Sequence, residues 1–391
     1  MKPRLRHLWL VAHRWLGLTA GLIFVLLGLT GSLLVFDHAI DEWLHPTLLL
    51  SEGSGSKKPL AEILDAANAG YQGDSRGEMS QALAVTKPRV ENGVWTVWFQ
   101  GGPKGAPEFI AVYVDPYTAN VNGQRAWGSD PMGIVYRLHF RLLAGMFGGL
   151  AVGVIGILLL ISLFSGVVLW WPLIKGGLRA ALAIRGGSRF NYDVHKTVGI
   201  TTALFMIVIT FTGVYMELPF LVKPVLQLVS KSTKPPEEMK SSASEKQPLT
   251  ADQAIAIAQK EFPEATFDHL HPPEGEEGVF EVAFRQAGEV QTSYGRTQVY
   301  LDQYSGEVVY MHSPESFTAT DTFLAWQFPL HNGEAFGIVG RWSVFVLGIV
   351  PAILYVTGFL LWYRRRQSRL RQKQRKAKAE SPQLVTANSP G

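Results

Sequence analysis

Cysteine is absent from this chain of 391 residues. Its absence excludes disulfide scaffolds, thiolate metal sites, iron–sulfur clusters and a cysteine nucleophile, whereas the ten histidines leave histidine-ligated metals open. Charged residues are also scarce, at 17% of the chain, against about 25% in a typical soluble domain. Together with a mean hydropathy of +0.11, this composition excludes a disordered polar chain.

Four apolar runs are too long for helices of a soluble protein, and they cover roughly residues 15–36, 142–171, 199–216 and 342–362. Crossing ~30 Å of hydrocarbon takes about 20 mostly apolar residues, and the third run reaches this length when its start at His195 is included. The first run resembles a signal peptide, but it is too long and lacks a small-residue cleavage site. The sequence therefore predicts four retained transmembrane helices.

Basic residues are concentrated in the three segments that flank these runs on one side. The segments before the first run, between the second and third, and after the fourth contain 4, 5 and 9 basic residues but only two acidic ones. The positive-inside rule places such segments in the cytoplasm, so we expect both termini inside and two longer segments outside. The C-terminal cluster from Arg364 to Lys378 is interpreted as a topology anchor rather than a site for nucleic acid or lipid.

Each outer segment has a helical pattern followed by alternating strand patterns. Helices are predicted at 60–69 and after a Thr250 cap, and strands at 94–99, 109–115, 279–285, 297–302 and 307–311. A stretch rich in Ser, Lys and Pro, 231–247, is predicted to be a mobile linker. The predicted order is a cytoplasmic N-terminus and first span 1–37, outer domain 38–134, second span 135–172, cytoplasmic loop 173–194, third span 195–218, linker and outer domain 219–330, fourth span 331–363 and basic cytoplasmic tail 364–391.

The two halves of the chain repeat the same residues at the same spacings. His13 and His195 are each followed by Gly four residues later and by Thr-Gly 17 residues later. His139 and His331 each have Gly nine residues later, Ser-Gly or Thr-Gly at 26 and Trp at 31. Equivalent spans run in the same direction, so we expect a polytopic α-helical membrane protein, with four transmembrane helices in a tandem 2+2 parallel repeat and two outer α+β domains.

This repeat pairs His13 with His195 at the cytoplasmic ends of their helices, and His139 with His331 at the outer ends. Ionisable residues at bundle depth usually have a function, and imidazoles from facing helices are typical axial ligands of b-type haem. We therefore expect two non-covalent haem b groups, because covalent attachment needs the absent Cys-x-x-Cys-His motif. Room for the macrocycles is expected from nearby glycines, namely Gly17, Gly21, Gly145, Gly148, Gly337 and Gly340.

Cations close to these histidines are candidates to pair with haem propionates, or to lie at the membrane interface as flanking charge; they are Arg14, Lys196, Arg137, Arg141 and Arg341. Zinc would require three or four ligands in one cluster rather than two pairs, and a proton relay would require membrane Asp or Glu, which the apolar runs lack. Two haems would form a transmembrane electron path. A straight helix would separate His13 from Thr30 by about 25 Å, which is long for one transfer.

Several motifs of this chain resemble those of the PepSY-associated transmembrane family of iron-regulated inner-membrane proteins. They are His-Arg-Trp-Leu-Gly at 13–17, Val-Asp-Pro-Tyr-Thr at 114–118, Leu-Asp-Gln-Tyr-Ser at 301–305 and the repeated Leu-His and Thr-Gly elements. The resemblance covers about 13–363 and extends to the di-haem ferric-siderophore reductases of that family. It implies two periplasmic PepSY domains, haem ligation by the four repeated histidines, and periplasmic reduction of a ferrioxamine-like ferric siderophore that releases Fe(II). Gln303 replaces Pro116 of the first repeat, at a turn position.

Three functions stay open from the sequence. The first is a di-haem siderophore reductase that receives electrons from a quinol or a cytoplasmic reductase. The second is a di-haem cytochrome that serves a quinone or another redox partner. The third is a haemless PepSY-domain sensor. Five aromatic residues of the outer segments could dock a siderophore, although packing in a core or in a membrane belt is the commoner role of such residues. They are Trp95, Trp98, Trp127, Tyr294 and Trp326. The other outer-domain histidines, His269, His271 and His312, are expected to have surface or hydrogen-bonded roles.

Overall fold

The computed structural model describes residues 3–73, 81–101, 108–233, 235–236, 238–242 and 246–380. The chain divides into two compact units. The helical unit consists of residues 1–29, 154–211 and 346–391, and the sheet unit consists of residues 30–153 and 212–345.

In the described part of the chain, the α-helices are α1 Pro3–Thr19, α2 Gly21–Leu34, α3 Asp37–Leu44, α4 Pro46–Leu49, α5 Leu60–Gly70, α6 Pro131–Arg141, α7 Gly145–Trp170, α8 Leu178–Leu182, α9 Phe190–Glu217, α10 Pro219–Gln227, α11 Ala251–Glu261, α12 Ala319–Asn332 and α13 Gly337–Glu380. The strands are β1 Ala84–Thr86, β2 Trp95–Gly101, β3 Glu108–Val114, β4 Val121–Ala126, β5 Thr266–His271, β6 Val279–Arg285, β7 Thr297–Asp302 and β8 Val308–His312.

Three helical segments among the described residues are long and apolar enough to cross a membrane, namely Gly145–Gly176, Gly187–Glu217 and Glu334–Ala377. A fourth candidate consists of α1 and α2, which are bent by 59° at a break between them. Large apolar side chains along these segments are exposed, as Leu204 and Phe205 of α9 illustrate. Such surfaces are stable in lipid but not in water, so the chain is a membrane protein with three to four spanning segments.

The first span differs from the straight helix that the sequence predicts, because α1 ends at Thr19 and α2 begins at Gly21. A Cβ atom on Gly21 would lie 2.6 Å from Cδ2 of Tyr355, so only glycine allows the Tyr355 ring of α13 to approach here. Small residues are common at sharp helix bends. The straight-helix rise between His13 and Thr30 is therefore wrong for this segment.

The eight strands form one sheet in the order β4-β3-β2-β1-β5-β6-β7-β8, and every neighbouring pair is antiparallel. Helices α5 and α11 pack on one face of this sheet, where Ile63 and Ala254 join a buried core with Val97, Leu270 and Phe284. Each half of the sheet unit thus contributes one helix to this layer and the four strands that follow it, which is an α+β arrangement. The predicted bounds of β6 and β7 are confirmed. Thr250 is confirmed as the N-cap of α11, and the structure adds a capping box with Gln253.

The two halves meet where β1 pairs with β5, Val85 opposite Leu270 and Thr86 opposite His269. The sequence treats 38–134 and 219–330 as two separate domains, whereas the structure joins their strands and their cores. Unpaired edges of β1 and β5 would each expose a row of backbone hydrogen-bonding groups, and the pairing removes both edges. Strand patterns alone miss this pairing, because β1 has only three residues and β5 contains polar residues on both faces.

Two equivalent aspartates shape the turns that follow β3 and β7. Asp115 Oδ1 accepts hydrogen bonds from the backbone N–H groups of Tyr117 and Thr118, and Asp302 Oδ1 accepts them from Tyr304 and Ser305. The Val-Asp-Pro-Tyr and Leu-Asp-Gln-Tyr motifs are therefore structural turn motifs. A third aspartate, Asp252 of α11, accepts from the first two backbone N–H groups of α5 and links the two helices.

The stretch predicted as a mobile linker is held to the sheet unit at both ends of its described part. Thr233 donates to the Asp321 carboxylate through its backbone N–H and its hydroxyl. Near the other end, Ser241 is buried and donates to the Gly278 carbonyl at 2.5 Å. Helix α13 likewise continues from the fourth span through the basic tail to Glu380, and residues 381–391 lie outside the described part.

Asp302→Ala should lower the free energy of unfolding by about 1–3 kcal/mol, because it removes the charged acceptor of partly buried backbone N–H groups. Asp65→Asn, at an exposed position of α5, should change it by less than about 0.5 kcal/mol. Thermal or denaturant unfolding of the full chain in detergent measures both. Equal effects of the two substitutions would contradict the turn assignment.

Acidification should weaken the same turns. Burial acts to raise the pKa of Asp302, but the hydrogen bonds from Ser305, Ser242 and Tyr304 outweigh it and hold that pKa below its usual value. A group with a depressed folded-state pKa stabilises the protein above its unfolded pKa of about 3.9, and this stabilisation is lost as the pH falls through the folded value.

Candidate histidine-pair sites

One pair of histidines lies in the helical unit, on α1 and α9. The ring centroids of His13 and His195 are 6.1 Å apart, and the ring planes are inclined at 84°. Both side chains are at least partly buried. The structure thus brings together the two histidines that the repeat spacing pairs.

A second pair lies in the sheet unit, on α6 and α12. The ring centroids of His139 and His331 are also 6.1 Å apart, with planes inclined at 60°. Each histidine occupies the last turn of its helix, and the chain then turns through a left-handed residue, Leu142 at φ 49° and Gly333 at φ 84°. The predicted spans 135–172 and 331–363 are therefore each interrupted after the histidine, and α7 and α13 begin only beyond these turns.

Each of the four imidazoles bonds through Nδ1 to a hydroxyl group of another helix, and the partner is always the Ser or Thr directly before a glycine. The Nδ1-to-oxygen distances are 2.8 Å for His13 and Ser165, 3.0 Å for His195 and Thr357, 3.0 Å for His139 and Thr30, and 3.1 Å for His331 and Thr212. All four hydroxyl residues are buried. The sequence repeat identified these Ser-Gly and Thr-Gly elements but did not reveal that they contact the histidines.

Hydrogen bonds of the hydroxyl groups define the tautomer of the first pair. Ser165 donates to the Ser162 carbonyl at 2.7 Å, and Thr357 donates to the Ile353 carbonyl at 2.7 Å. With their protons so placed, these hydroxyls accept from the imidazoles, so Nδ1 of His13 and of His195 bears the ring proton. Their Nε2 atoms consequently have the lone pair, which is the form that binds a metal.

A glycine faces the ring of each histidine. A Cβ atom would come within 2.9–3.3 Å of the imidazole Cε1 at four glycines, namely Gly166 against His13, Gly358 against His195, Gly31 against His139 and Gly213 against His331. The glycines predicted to make room for the macrocycles are not the ones that face the imidazoles: a Cβ atom on Gly17, Gly145 or Gly337 would have no neighbour within 4 Å, and one on Gly21, Gly148 or Gly340 would meet other residues. The room for each imidazole therefore comes from the residue after the hydroxyl partner.

The two pairs fit a metal centre held between two imidazoles. Two Nε2 ligands on opposite sides of one ion, each at about 2 Å, put the ring centroids roughly 6 Å apart. Both observed separations are 6.1 Å, and the hydrogen bonds on Nδ1 are the outer-shell contacts that usually orient metal-binding histidines. The donor set of each pair is two neutral imidazoles, which suits the axial positions of a haem iron.

The cations expected near the first pair have different surroundings. Arg14 has a buried Nε with no hydrogen-bond partner among the described residues, so it is suited to an anionic group beside His13. Lys196 is instead engaged, 3.3 Å from the fully buried Asp193 carboxylate and 3.0 Å from the Ala183 carbonyl that accepts its hydrogen bond. Asp193 also binds Arg185 at 2.8 Å. Lys196 thus stabilises the start of α9.

The cations expected near the second pair are also distinct. Arg341 donates to the Val35 carbonyl and lies 5.6 Å over the Phe36 ring, which gives it a structural role. Arg137 and Arg141 are exposed on α6, and Arg141 lies over the Phe140 ring at 4.7 Å. Both of these remain accessible to an anion near His139.

The five outer aromatic residues fall into a partly buried group and an exposed group. Trp95 packs near Phe267 in the sheet, with ring centroids 6.2 Å apart, and Trp98 donates to the Thr86 hydroxyl at 3.4 Å. Trp127, Tyr294 and Trp326 are 45%, 40% and 39% exposed. Only the second group offers a surface for docking a ligand.

A model of the PepSY-associated TM region matches residues 10–365, a range that includes all four paired histidines and the whole sheet. A comparison with curated proteins gives no match. The match is to the family as a whole and does not distinguish the siderophore reductases within it.

Asp193→Asn should destabilise the chain by about 1.5–3 kcal/mol, because it removes the charged acceptor of Lys196 and Arg185. Glu62→Gln provides the control, since the exposed ion pair of Glu62 and Lys58 should contribute less than about 1 kcal/mol. Thermal unfolding in detergent measures the difference. An equal response of the two variants would show that the Asp193 network does not stabilise α9.

Proposed function

The chain belongs to the PepSY-associated TM family, and from this premise we propose that it is a membrane oxidoreductase that holds two b-type haems and reduces ferric siderophores. The strongest support is the pair of facing imidazoles, which occurs twice with the same 6.1 Å centroid separation. One isolated histidine near a membrane interface usually has a structural role. Two matched pairs with oriented Nδ1 atoms favour axial ligation.

We infer that the spans form a tandem 2+2 parallel repeat. The bond between His13 and Ser165 in the first half corresponds to that between His195 and Thr357 in the second. The contact between Thr30 and His139 corresponds in the same way to that between Thr212 and His331. Because the basic residues flank the spans on one side, we assign both termini to the cytoplasm, the sheet unit to the periplasm and the chain to a bacterial inner membrane.

When bound, each haem supplies a centre that takes up and releases one electron at a time. The residues of this chain would hold and orient it: His13 and His195 would bind one haem iron on the cytoplasmic side through Nε2, and His139 and His331 would bind the other on the periplasmic side. The hydroxyl groups before the four glycines hold the rings in position. Arg14 is the cation best suited to a propionate of the first haem.

The proposed reaction moves one electron from a cytoplasmic-side donor, a quinol or a cytoplasmic flavoprotein, to a ferric siderophore of the ferrioxamine type. Hard oxygen ligands hold Fe(III) tightly and the softer Fe(II) weakly, so one electron converts a tight chelate into a weak one and Fe(II) dissociates. No bond to the protein needs to form, because the cofactor performs the redox step while the chain positions it.

Replacing both His139 and His331 with Ala should remove about half of the haem from detergent-purified protein, because each haem has its own pair of ligands. His312→Gln serves as the control, because His312 lies in the same unit but bonds Thr233 instead. A reduced-minus-oxidised spectrum with haem quantification measures this. A protein without any b-type absorbance after expression with adequate haem would favour a haemless sensor, and full haem retention in the double variant would contradict the pairing.

The same variants test the acceptor. Wild-type protein reduced under anaerobic conditions should transfer electrons to ferrioxamine, which a ferrous chelator detects, and the His139/His331 double variant should lose this activity. A wild type that contains two haems but reduces a quinone and not ferrioxamine would favour the cytochrome alternative.

Thr357→Val should keep the haem but raise the midpoint potential of the cytoplasmic-side centre. It removes the hydrogen bond that makes the His195 imidazole a stronger electron donor to iron. A hydrogen bond of ~1 kcal/mol corresponds to about 40 mV for one electron. Thr201→Val, whose hydroxyl bonds only carbonyls of its own helix, should leave the potential unchanged in a redox titration.

A further inference from the structure

A second group of possible metal ligands lies in the sheet unit, away from the two histidine pairs in sequence. His269 and His271 occupy alternate positions of β5, and Glu281 on β6 lies directly opposite His271. One ligand atom from each of the three side chains lies within 4.8 Å of the others. Alternate residues of a strand share a face, so both imidazoles and the carboxylate converge on the face of the sheet opposite Leu270 and the helices.

The ring of His269 has an unmet hydrogen-bonding requirement. Its Nδ1 is 3.0 Å from Oδ2 of Asp268, while its Nε2 is buried and has no hydrogen-bond partner among the described residues. The imidazole itself is only 3% exposed. An unpaired buried nitrogen costs free energy, and a histidine that donates to a carboxylate while its other nitrogen is unpaired is the arrangement typical of a metal ligand.

The carboxylate behind His269 is itself held firmly. Asp268 accepts a hydrogen bond at 2.9 Å from the Gly295 backbone N–H, and Lys87 lies 3.6 Å from its other oxygen. These contacts fix the Asp268 carboxylate in place, and its Oδ2 in turn orients the His269 ring through Nδ1.

The other two ligands are oriented by the strands next to them. The Leu83 carbonyl, just before β1, lies beside the His271 ring, and Gln298 of β7 donates a hydrogen bond to Glu281 at 2.5 Å. His271 and Glu281 are only partly buried, so an ion can reach the cluster from solvent. From the sequence, His269 and His271 are expected to have surface or hydrogen-bonded roles. The His-Leu-His spacing on one strand was the available signal, but Glu281 lies on a different strand.

We propose that His269, His271 and Glu281 bind a divalent first-row transition metal, and that its occupant is the Fe(II) released by siderophore reduction. Two histidines and one carboxylate form the set that holds non-haem Fe(II) with further positions left for solvent or substrate. The identity of the ion as Fe(II) rests on the proposed reductase function, whereas the metal site itself does not. The ferric ion would gain its one electron in the reductase reaction proposed above, and the hydroxamate oxygens would then leave with the siderophore as the two imidazoles and the carboxylate take their place.

A loop connects this metal site to the second histidine pair. Tyr294 in that loop packs against His269, with ring centroids 4.3 Å apart. Two residues earlier in the loop, Thr292 donates its backbone N–H to Glu334 at 2.6 Å, and Glu334 follows His331 by three residues in the chain. Tyr294 is 40% exposed, so one loop links an accessible aromatic surface, the metal site and the helix end that bears His331.

Metal binding by the full chain in detergent tests the site directly. Equilibrium dialysis against Co²⁺, with the bound metal counted by elemental analysis, should give one equivalent per chain that Glu281→Gln and His271→Gln weaken by at least 10–100-fold. His312→Gln, which leaves the cluster intact, should bind as the wild type does. Equal binding by all four proteins, or none by the wild type, would overturn the site. Unchanged thermal unfolding of Glu281→Gln excludes misfolding as the cause.

Ferrous iron added directly under anaerobic conditions tests the identity of the ion. Wild-type protein should retain one Fe²⁺ through desalting and Glu281→Gln should retain none. A wild type that binds Co²⁺ but not Fe²⁺ would overturn the ferrous assignment. Because neither measurement needs siderophore reduction, failure of the wild type to reduce ferrioxamine would refute the proposed function alone.

Discussion

The hydrogen bond between an imidazole and a buried hydroxyl of another helix is the constraint on which both histidine-pair sites depend. A buried ring nitrogen without a partner is costly, and in the two units this requirement is met four times by a Ser or Thr that precedes a glycine. Glycine at the next position leaves space for the ring itself. Each bond therefore positions a helix, sets the orientation of an imidazole and, for His13 and His195, leaves Nε2 with the lone pair.

The two halves of the sheet unit also satisfy each other's backbone hydrogen-bonding groups. Neither half has a complete set of partners alone, because β1 and β5 would expose their edges, and Asp252 of α11 satisfies the first N–H groups of α5. The pairing of β1 with β5 leaves His269 opposite Thr86 and brings the Leu83 carbonyl to the His271 ring. All three ligands of the proposed metal site lie in the second half, on β5 and β6, and the first half adds the neighbours that pack beside His269 and His271.

Much of the fold follows from local patterns. Apolar length predicts the spans, Thr250 predicts the start of α11, and alternation predicts β6 and β7, because each depends on neighbouring residues. The predictions that fail depend either on a very short pattern or on a residue distant in the chain. A three-residue strand such as β1 has too little pattern to detect, and the straight first span fails because Tyr355, which packs where the helix bends, is remote in the chain. For the sites, the repeat spacing pairs the histidines but does not reveal that Lys196, a candidate for a haem propionate or for interface charge, already binds Asp193.

By itself the sequence determined the membrane-spanning segments, the matched histidines and the α+β composition of the outer segments, because apolar runs, spacings and alternation are properties of the chain. Tertiary structure decided which atoms of those histidines are bonded, which cations are already engaged and whether two outer segments form one sheet or two. It also brought Glu281 to His269 and His271. Hydrogen bonding and close packing depend on groups distant in the chain and act over about 3 Å, a distance that spacing along the sequence does not specify.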